Sequence, residues 1–366
     1  MSHEGQPTTE TMNALVTANA DEESLERLRT DLGMGVEYRP IEEREGRFSP
    51  DELIELLDGV EVLIVGFEGV SADVMDATEI EIVACPRGGP EANVDIEAAT
   101  ERGIPVLYTP GRNAVSVADF TLGLVLSVAR HIAHSHHLLH TGVYTGEPKG
   151  DAAAGGERED VTWGVARGSP YVELKGPELT GKTLAIVGMG AIGQRVAERA
   201  AGFGMDLQGY DPYVDSEEIA EYGVEKVDDL HELLSGADFV TLHVPVTDAT
   251  RGMLGPEEFA VMDEGAYFIN TARGALIDQD ALLEELETGG LRGAALDVYD
   301  DEPLPDDHPL LELPNVVTTP HLGGAAEEVV TRHSRMIVAG LEAVLSGDRP
   351  THVANPEALE TQTLKR

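Results

Sequence analysis

The sequence predicts an α/β protein made of two doubly wound parallel-sheet domains. Three observations carry this. Short apolar runs alternate with acidic amphipathic stretches along nearly the whole chain, and the runs fall into two series. A long helical pattern and a poorly periodic stretch separate the series. The length, 366 residues, exceeds what one hydrophobic core usually holds and suits two medium domains.

The first series is Ala14–Thr17, Val62–Gly66, Ile80–Ala84 and Pro105–Leu107. Apolar runs of this length, spaced by helical segments, are strands of a parallel sheet covered on both faces. A helical pattern follows over Val115–Leu139. The stretch 141–175 is rich in Gly, Ala and charge with little period, and is predicted as a long loop. The second series is Thr183–Val187, Asp206–Tyr210, Phe239–His243, Ala266–Ile269 and Gly293–Leu296, with a last strand near Asn315–Thr319. A closing helix is expected over Ala325–Leu345. If it packs back on the first series, that domain is built from both chain ends: 12–111 with 323–350 returning to it, and 112–322 as the other domain.

Composition narrows the function. Asp and Glu number 68 against 25 Lys and Arg, a formal charge of −43, and the acids spread over nearly every segment. The only lysines are Lys149, Lys175, Lys182, Lys226 and Lys365. This pattern reads as a salt-adapted, halophilic surface, because molar salt shortens the Debye length to about 3 Å and weakens repulsion among neighbouring carboxylates. Nucleic acid and anionic membrane are both expected to be repelled. Cys85 is the only cysteine, which excludes an intrachain disulfide and a cysteine-rich metal site. Met1–Glu10 has no basic region followed by an apolar one, and no apolar run approaches the roughly twenty residues of a spanning helix. A cytoplasmic, soluble protein is expected.

Gly188-Met-Gly-Ala-Ile-Gly193 follows the strand Thr183–Val187 and opens a helix expected over Gln194–Ala201; Asp211 ends the next strand. Each part has a physical task. Gly188 allows the tight turn, Gly190 lets backbone approach a pyrophosphate, and Gly193 lets helix and strand pack closely, while the helix N-terminus faces the anion. The strand before, the helix after and the acid about twenty residues on make this a dinucleotide site rather than a merely steric turn. Asp211 accepts from both ribose hydroxyls and repels a 2′-phosphate, so NAD is expected over NADP and the second domain is a Rossmann domain.

Three later segments place reactive side chains at strand ends: Asn270–Gly274, Asp297–Pro303 and Pro320–Gly324. In open α/β sheets these ends line the ligand crevice. Reducing a 2-keto acid requires its carboxylate held, its carbonyl polarised and one proton delivered as hydride arrives. Arg273 offers a planar, permanently charged fork for the first two tasks. His321 is the proton donor and acceptor, since histidine ordinarily titrates near working pH. Glu302, hydrogen-bonded to it, would orient the ring and stabilise the imidazolium. Each residue alone has a bland alternative: a surface ion pair, one acid of many, a capping residue. Their joint occurrence after a dinucleotide fingerprint favours an acid–base site.

On these residues the chain resembles the D-isomer-specific 2-hydroxyacid dehydrogenases, the family of phosphoglycerate, glycerate and D-lactate dehydrogenases, over nearly its whole length. The resemblance implies a flavodoxin-like substrate domain, Arg273, Glu302 and His321 as the catalytic trio, and Asp297 on the nicotinamide amide. It implies Ala191 and Ile192 at the pyrophosphate, Val244 and Pro245 on the adenine side, and Thr271, Ala272, Gly323 and Gly324 near the nicotinamide. It further implies that backbone amides at Gly88 and Gly89 hold the substrate carboxylate, with Asn113 nearby. A homodimer through the crossover helix is implied too. Asp119 stands where the family usually has glutamate, and the 141–175 loop is longer than typical.

Other features are weighed against plainer readings. His131, His134, His136, His137 and His140 form a dense cluster in which His131 and His134 would share a helix face. With no carboxylate or cysteine to complete a ligand set, packing or interface contact is expected and no metal. Trp163 is expected to anchor the long loop, and Cys85 to be a small buried hydrophobe. Arg87 and Arg112 would suit a phosphorylated or dicarboxylic acid, or be ordinary surface arginines; which acid is reduced is not legible. No regulatory domain is expected after about Asn355. Two rivals remain: an NAD-sensing corepressor on the same fold, disfavoured by the lack of a basic patch, and a formate dehydrogenase, which looks to pair its histidine with glutamine where Glu302 stands here.

Overall fold

The computed structural model describes residues 11–145 and 167–361. Contacts divide the chain into two units, Met1–Asn113 with Ala326–Arg366, and Ala114–Ala325. The switch points fall two and three residues beyond the expected boundaries at 111/112 and 322/323.

The first unit holds five parallel strands: β1 (Asn13–Val16), β2 (Gly35–Tyr38), β3 (Val62–Ile64), β4 (Ile82–Cys85) and β5 (Val106–Tyr108), in the order β2-β1-β3-β4-β5. That is the flavodoxin-like order. Successive side chains of a strand point to opposite faces, and both faces here are apolar. Leu15, Leu63, Val65, Val83, Cys85 and Val106 share one core cluster with Leu53, Leu57 and Val74. Ala14, Val16, Val62, Ile64, Ile82, Ala84 and Leu107 share the other with Leu25, Leu28, Ile337, Val338, Leu341 and Val344. The last four lie on the helix Glu327–Ser346, which ends at Gly347 with φ +79°. This unit therefore draws on both ends of the chain.

The second unit holds β6 (Thr183–Val187), β7 (Asp206–Tyr210), β8 (Glu225–Lys226), β9 (Phe239–Leu242), β10 (Tyr267–Asn270), β11 (Gly293–Leu296) and β12 (Val316–Thr318), all parallel, in the order β12-β11-β10-β9-β6-β7-β8. The order reverses beside β6, which makes it the Rossmann arrangement with one added strand. Leu184, Ile186, Phe239, Tyr267 and Ile269 face the helix Ala114–Ala129, while Ala185, Val187, Val240, Leu242 and Phe268 face the opposite core cluster.

Three expectations are corrected. Strands β2 and β8 have no counterpart in the apolar runs: β2 reads Gly-Val-Glu-Tyr with alternating exposed and half-buried residues, and β8 has two residues at a sheet edge. Edge strands need no apolar run on both faces. The single helix expected over Val115–Leu139 is two, Ala114–Ala129 and Ile132–His140, bent by 63°. His131 between them has φ +54°. At the break the chain passes so close that a Cβ on Gly176 would stand 1.8 Å from the Ala129 carbonyl oxygen. His131 is thus outside the helix carrying His134 and does not share its face. The fingerprint helix begins at Ala191 rather than Gln194. Trp163 and most of the predicted loop lie outside the described residues, and no single helix among those described is long and apolar enough to cross a membrane.

One ion pair in the first unit has a fully buried carboxylate. Glu68, 0 % exposed, accepts from Arg44 Nη2 at 2.8 Å and Thr17 Oγ1 at 2.7 Å. Burial pushes its carboxyl up, but the Arg44 and Thr17 hydrogen bonds outweigh this and hold it below the ordinary glutamate value. A folded value below the unfolded one means stabilisation that is complete above the unfolded glutamate pKa of about 4.3 and fades as pH falls through the folded value. Arg44→Met strands the buried carboxylate and is expected to cost roughly 3–5 kcal/mol, the usual loss when one partner of a buried pair is removed. Urea unfolding at pH 7 and pH 3 checks this: the variant's deficit should shrink at the lower pH, where Glu68 is protonated.

Candidate active site

Every site residue of the second unit sits just beyond the carboxyl end of a strand of one sheet, where an open α/β sheet presents backbone and side chains to ligands. Gly188 follows β6, Asp211 follows β7, Val244 and Pro245 follow β9, Thr271–Arg273 follow β10, Asp297 and Glu302 follow β11, and His321–Gly324 follow β12.

At the fingerprint, Gly188 has φ +98°, and a Cβ there would stand 2.6 Å from the His243 carbonyl oxygen. A Cβ on Gly193 would stand 2.0 Å from the Gly188 carbonyl oxygen. Gly190 differs: a Cβ there meets no protein atom within 4 Å. Its smallness leaves room outside the protein rather than inside it. Gly190 caps the helix Ala191–Ala201 with no side-chain hydrogen bond, so first-turn N–H groups remain available to an anion. Asp211 accepts from Met189 N and Tyr213 N, both at 2.9 Å, which fixes its carboxylate beside the turn. Open space at Gly190, free N–H groups and a strand-end acid together fit a dinucleotide.

His243 carries the turn from the other side. Its imidazole is buried and its pKa is pushed down to about 3 by burial alone, so it is a neutral packing residue. Nε2 meets Thr241 Oγ1 at 3.0 Å. Val244 is half-buried and Pro245 exposed.

The reactive groups follow. His321 Nδ1 lies 2.7 Å from Glu302 Oε2; the carboxylate accepts, so Nδ1 carries its hydrogen and the exchangeable proton is on Nε2. Glu302 Oε1 accepts from Tyr299 N at 3.2 Å. His321 has φ +57°, in the left-handed region that side chains other than glycine seldom adopt. Arg273 is exposed. Its turn is held by Asn270, 0 % exposed, whose Nδ2 donates to Arg273 O at 2.9 Å and whose Oδ1 accepts from Ala272 N at 3.0 Å. Thr271 Oγ1 meets Thr121 Oγ1 at 3.0 Å in the interior. Asp119 pairs with Arg199 on the fingerprint helix.

Asp297 has work the sequence reading did not contain. Its carboxylate is 1 % exposed; Oδ1 accepts from Thr319 Oγ1 at 2.6 Å and Leu322 N at 2.8 Å, and Oδ2 from Gly323 N at 2.8 Å. Gly323 fits closely there: a Cβ would stand 3.1 Å from Oδ2. Tyr299 was also missed. Its hydroxyl lies 3.0 Å from both the Leu296 and Thr319 carbonyls and accepts from Thr319 N at 3.1 Å, and burial pushes its pKa up to about 12. Gly274 lets this loop reach the arginine loop: a Cβ there would stand 2.1 Å from the Tyr299 carbonyl.

In the first unit, Gly88 and Gly89 follow β4, and neither N–H has an acceptor among the described residues. Asn113 is half-buried immediately before the helix at Ala114. Cys85 is buried, and burial pushes its thiol up to about 11, so it is inert. Among the described residues no three His, Cys, Asp or Glu side chains converge as metal ligands.

The profile of the D-isomer specific 2-hydroxyacid dehydrogenase, NAD binding domain, matches residues 122–323. The chain belongs to this family. A hydroxypyruvate reductase of Thermotoga maritima is 39% identical over 312 residues, covering 84% of this chain and 92% of that protein. A D-3-phosphoglycerate dehydrogenase of Methanocaldococcus jannaschii is 41% identical over 306 residues, or 83% of this chain; the chain spans only 53% of that longer protein. Among solved structures, the apo D-mandelate dehydrogenase of Rhodotorula graminis superposes with a TM-score of 0.76 at 27% identity, covering 94% of this chain and 97% of its own. Membership of the family makes NAD the cofactor that the fingerprint fits.

Asp297→Asn replaces an acceptor by an amide that cannot accept from both sides of the loop. Because hydrogen bonds to charged groups contribute about 1.5–3 kcal/mol each, the His321 loop should loosen. Hydrogen exchange at Leu322 and Gly323 is expected to rise by at least about tenfold, one bond's worth at 1.4 kcal/mol; protection equal to the parent's would refute this role.

Proposed function

We propose that the chain is an NAD-dependent oxidoreductase that interconverts small 2-keto acids and D-2-hydroxy acids. The observation that carries this is the His321–Glu302 pair at 2.7 Å, on the same sheet edge as the glycine fingerprint and an exposed arginine. In this reading Arg273 binds the substrate carboxylate and carbonyl oxygen through its fork, polarising the C–O bond. His321 delivers a proton from Nε2 to that oxygen in reduction and recovers it in oxidation. Glu302 holds the ring by Nδ1 and bears part of the positive charge. The unpaired N–H groups of Gly88 and Gly89, with Asn113, bind the carboxylate.

NAD, when bound, supplies or accepts the hydride. Gly188, Gly190, Ala191, Ile192 and Gly193 hold its pyrophosphate, Asp211 its ribose, and Val244 and Pro245 its adenine. Thr271, Ala272, Asp297, Gly323 and Gly324 line the nicotinamide end; Asp297 Oδ2, with one protein donor, keeps a lone pair for the amide. The family likeness supports a small hydroxy- or keto-acid substrate such as glycerate, hydroxypyruvate or a phosphoglycerate. Turnover of such acids separates this reading from an NAD-sensing corepressor, which would bind cofactor alone.

Two wider proposals rest on surface features. Ile132 and Leu139 on the helix Ile132–His140, and Val143 just after it, are exposed, and supply the apolar face of a homodimer. The −43 charge supports adaptation to molar salt, and the single cysteine, Cys85, supports a reducing cytoplasm.

Arg273→Ala should lose at least about 10²-fold in kcat/KM with a 2-keto acid and NADH, and Arg273→Lys less, because lysine keeps charge without the bidentate fork. NADH affinity, read by fluorescence, should survive; unchanged kcat/KM in the alanine variant sinks the assignment. Stability and activity should both climb with KCl into the molar range. Lengthening the Debye length from about 3 Å to about 30 Å unscreens repulsion that need only approach a total stability of about 5–15 kcal/mol to unfold the chain. A melting temperature flat between dilute and molar KCl would end the salt-adaptation reading.

A further inference from the structure

His136 and His140 stand one turn apart on the helix Ile132–His140. Their ring centroids are 4.1 Å apart, with the planes inclined by 42°. Both residues are exposed. Among the described residues neither ring has a hydrogen-bond or ion-pair partner, in a chain with 68 acids. Histidines four apart on one helix face have the spacing that chelates zinc. Tetrahedral zinc, with Zn–N bonds of about 2.0–2.1 Å, holds its nitrogens about 3.3–3.4 Å apart, a bite that suits rings at this separation. Zinc takes four ligands, however, and among the described residues no three His, Cys, Asp or Glu side chains converge within one chain. The pair is half of a site.

The surface around the pair points to the other half. Ile132, Leu139 and Val143 are each at least 50% exposed. At about 3.6 residues per turn, Ile132, His136, Leu139 and His140 share one face of the helix, and Val143 follows just past its end. Ile132 stands four residues before His136, and Val143 three residues after His140, so this apolar stripe is nearly symmetric about the two histidines. A two-fold contact uses the same patch on both copies. Laid antiparallel on its own copy, the stripe sets Ile132 against Val143 and one histidine pair against the other. Two chains that each carry a formal charge of −43 repel one another, and a dication held by neutral imidazoles places positive charge at the seam.

We propose that His136 and His140 of two copies bind one zinc ion between them, with four imidazoles closing the ligand set. The carboxylate or cysteine that one chain lacks is replaced by the imidazoles of its copy. This rests on the reading of the exposed helix face as a homodimer contact, and deepens it.

The test uses the full chain, stripped of metal and held at one fixed KCl concentration. Calorimetric titration with zinc chloride should show a component of one zinc per two chains, lost in the double variant His136→Gln/His140→Gln and kept in His134→Gln. Glutamine is a good helix former and both replaced residues are exposed, so the double variant should melt at the parent's temperature in EDTA. By sedimentation velocity, zinc at a hundredfold its dissociation constant should tighten the parent's dimer about 100-fold, the linkage expected of an ion bound by the dimer alone. The double variant should show no such gain. Calcium, which carboxylates bind and imidazole does not, should leave the parent's dimer unchanged. One zinc per chain, a titration identical in parent and double variant, or a dimer constant indifferent to zinc overturns the shared site. A parent that is dimeric in EDTA and binds no zinc at the pair overturns the site and leaves the homodimer reading standing. A parent that stays monomeric with and without zinc refutes that reading itself, and the site with it.

Discussion

The carboxylate of Asp297 receives hydrogen bonds from Thr319, Leu322 and Gly323 in a place almost shut off from solvent, and these hold His321 in its observed pose. Two consecutive backbone N–H groups converging on one side chain force a tight turn between Pro320 and Gly323. His321, inside that turn, is left with φ +57°. Left-handed backbone costs a non-glycine residue roughly 1–2 kcal/mol, whereas three hydrogen bonds to a carboxylate contribute about 1.5–3 kcal/mol each. The turn wins. The carboxylate, for its part, could not be buried without these donors.

The remaining loops lean on that one in sequence. Tyr299 bonds across to Thr319, so the segment carrying Glu302 is registered against the segment carrying His321. Gly274 lies against Tyr299 with no room for a side chain, so the arginine turn is registered against the same segment. Asn270 closes that turn from beneath. The groups proposed to act on one small molecule are thus registered largely by backbone contacts. Backbone placement keeps reacting geometry constant at little entropic cost.

The strands of both sheets that are buried on two faces were legible in the sequence, because burial on both sides demands an unbroken apolar run such as Val62–Ile64 or Phe239–Leu242. The edge strands β2 and β8 were not, since an edge tolerates Glu37, Glu225 and Lys226. The glycine fingerprint was legible because each glycine answers a local steric demand. The break at His131 was hidden, as the chain that passes against it at Gly176 is remote in sequence. Arg273, Glu302 and His321 announced themselves by chemistry. Asn270, Tyr299 and the anchoring work of Asp297 did not, because their partners are mostly backbone atoms and backbone leaves no mark in a sequence.

The helix Glu327–Ser346 has a consequence for how the chain is made. Ile337, Val338, Leu341 and Val344 cover one face of a sheet whose strands all lie before residue 109. A ribosome synthesises the five strands first and the cover last, after the whole Ala114–Ala325 unit has emerged. For the interval between, Val16, Ile64 and Ile82 have Leu25 and Leu28 beside them but lack the rest of their cover, and the contacts that complete their burial are among the most distant in the chain. Such late closure favours slow maturation and exposes a sticky surface to other nascent chains. The inserted unit is complete in sequence before its host receives the helix Glu327–Ser346.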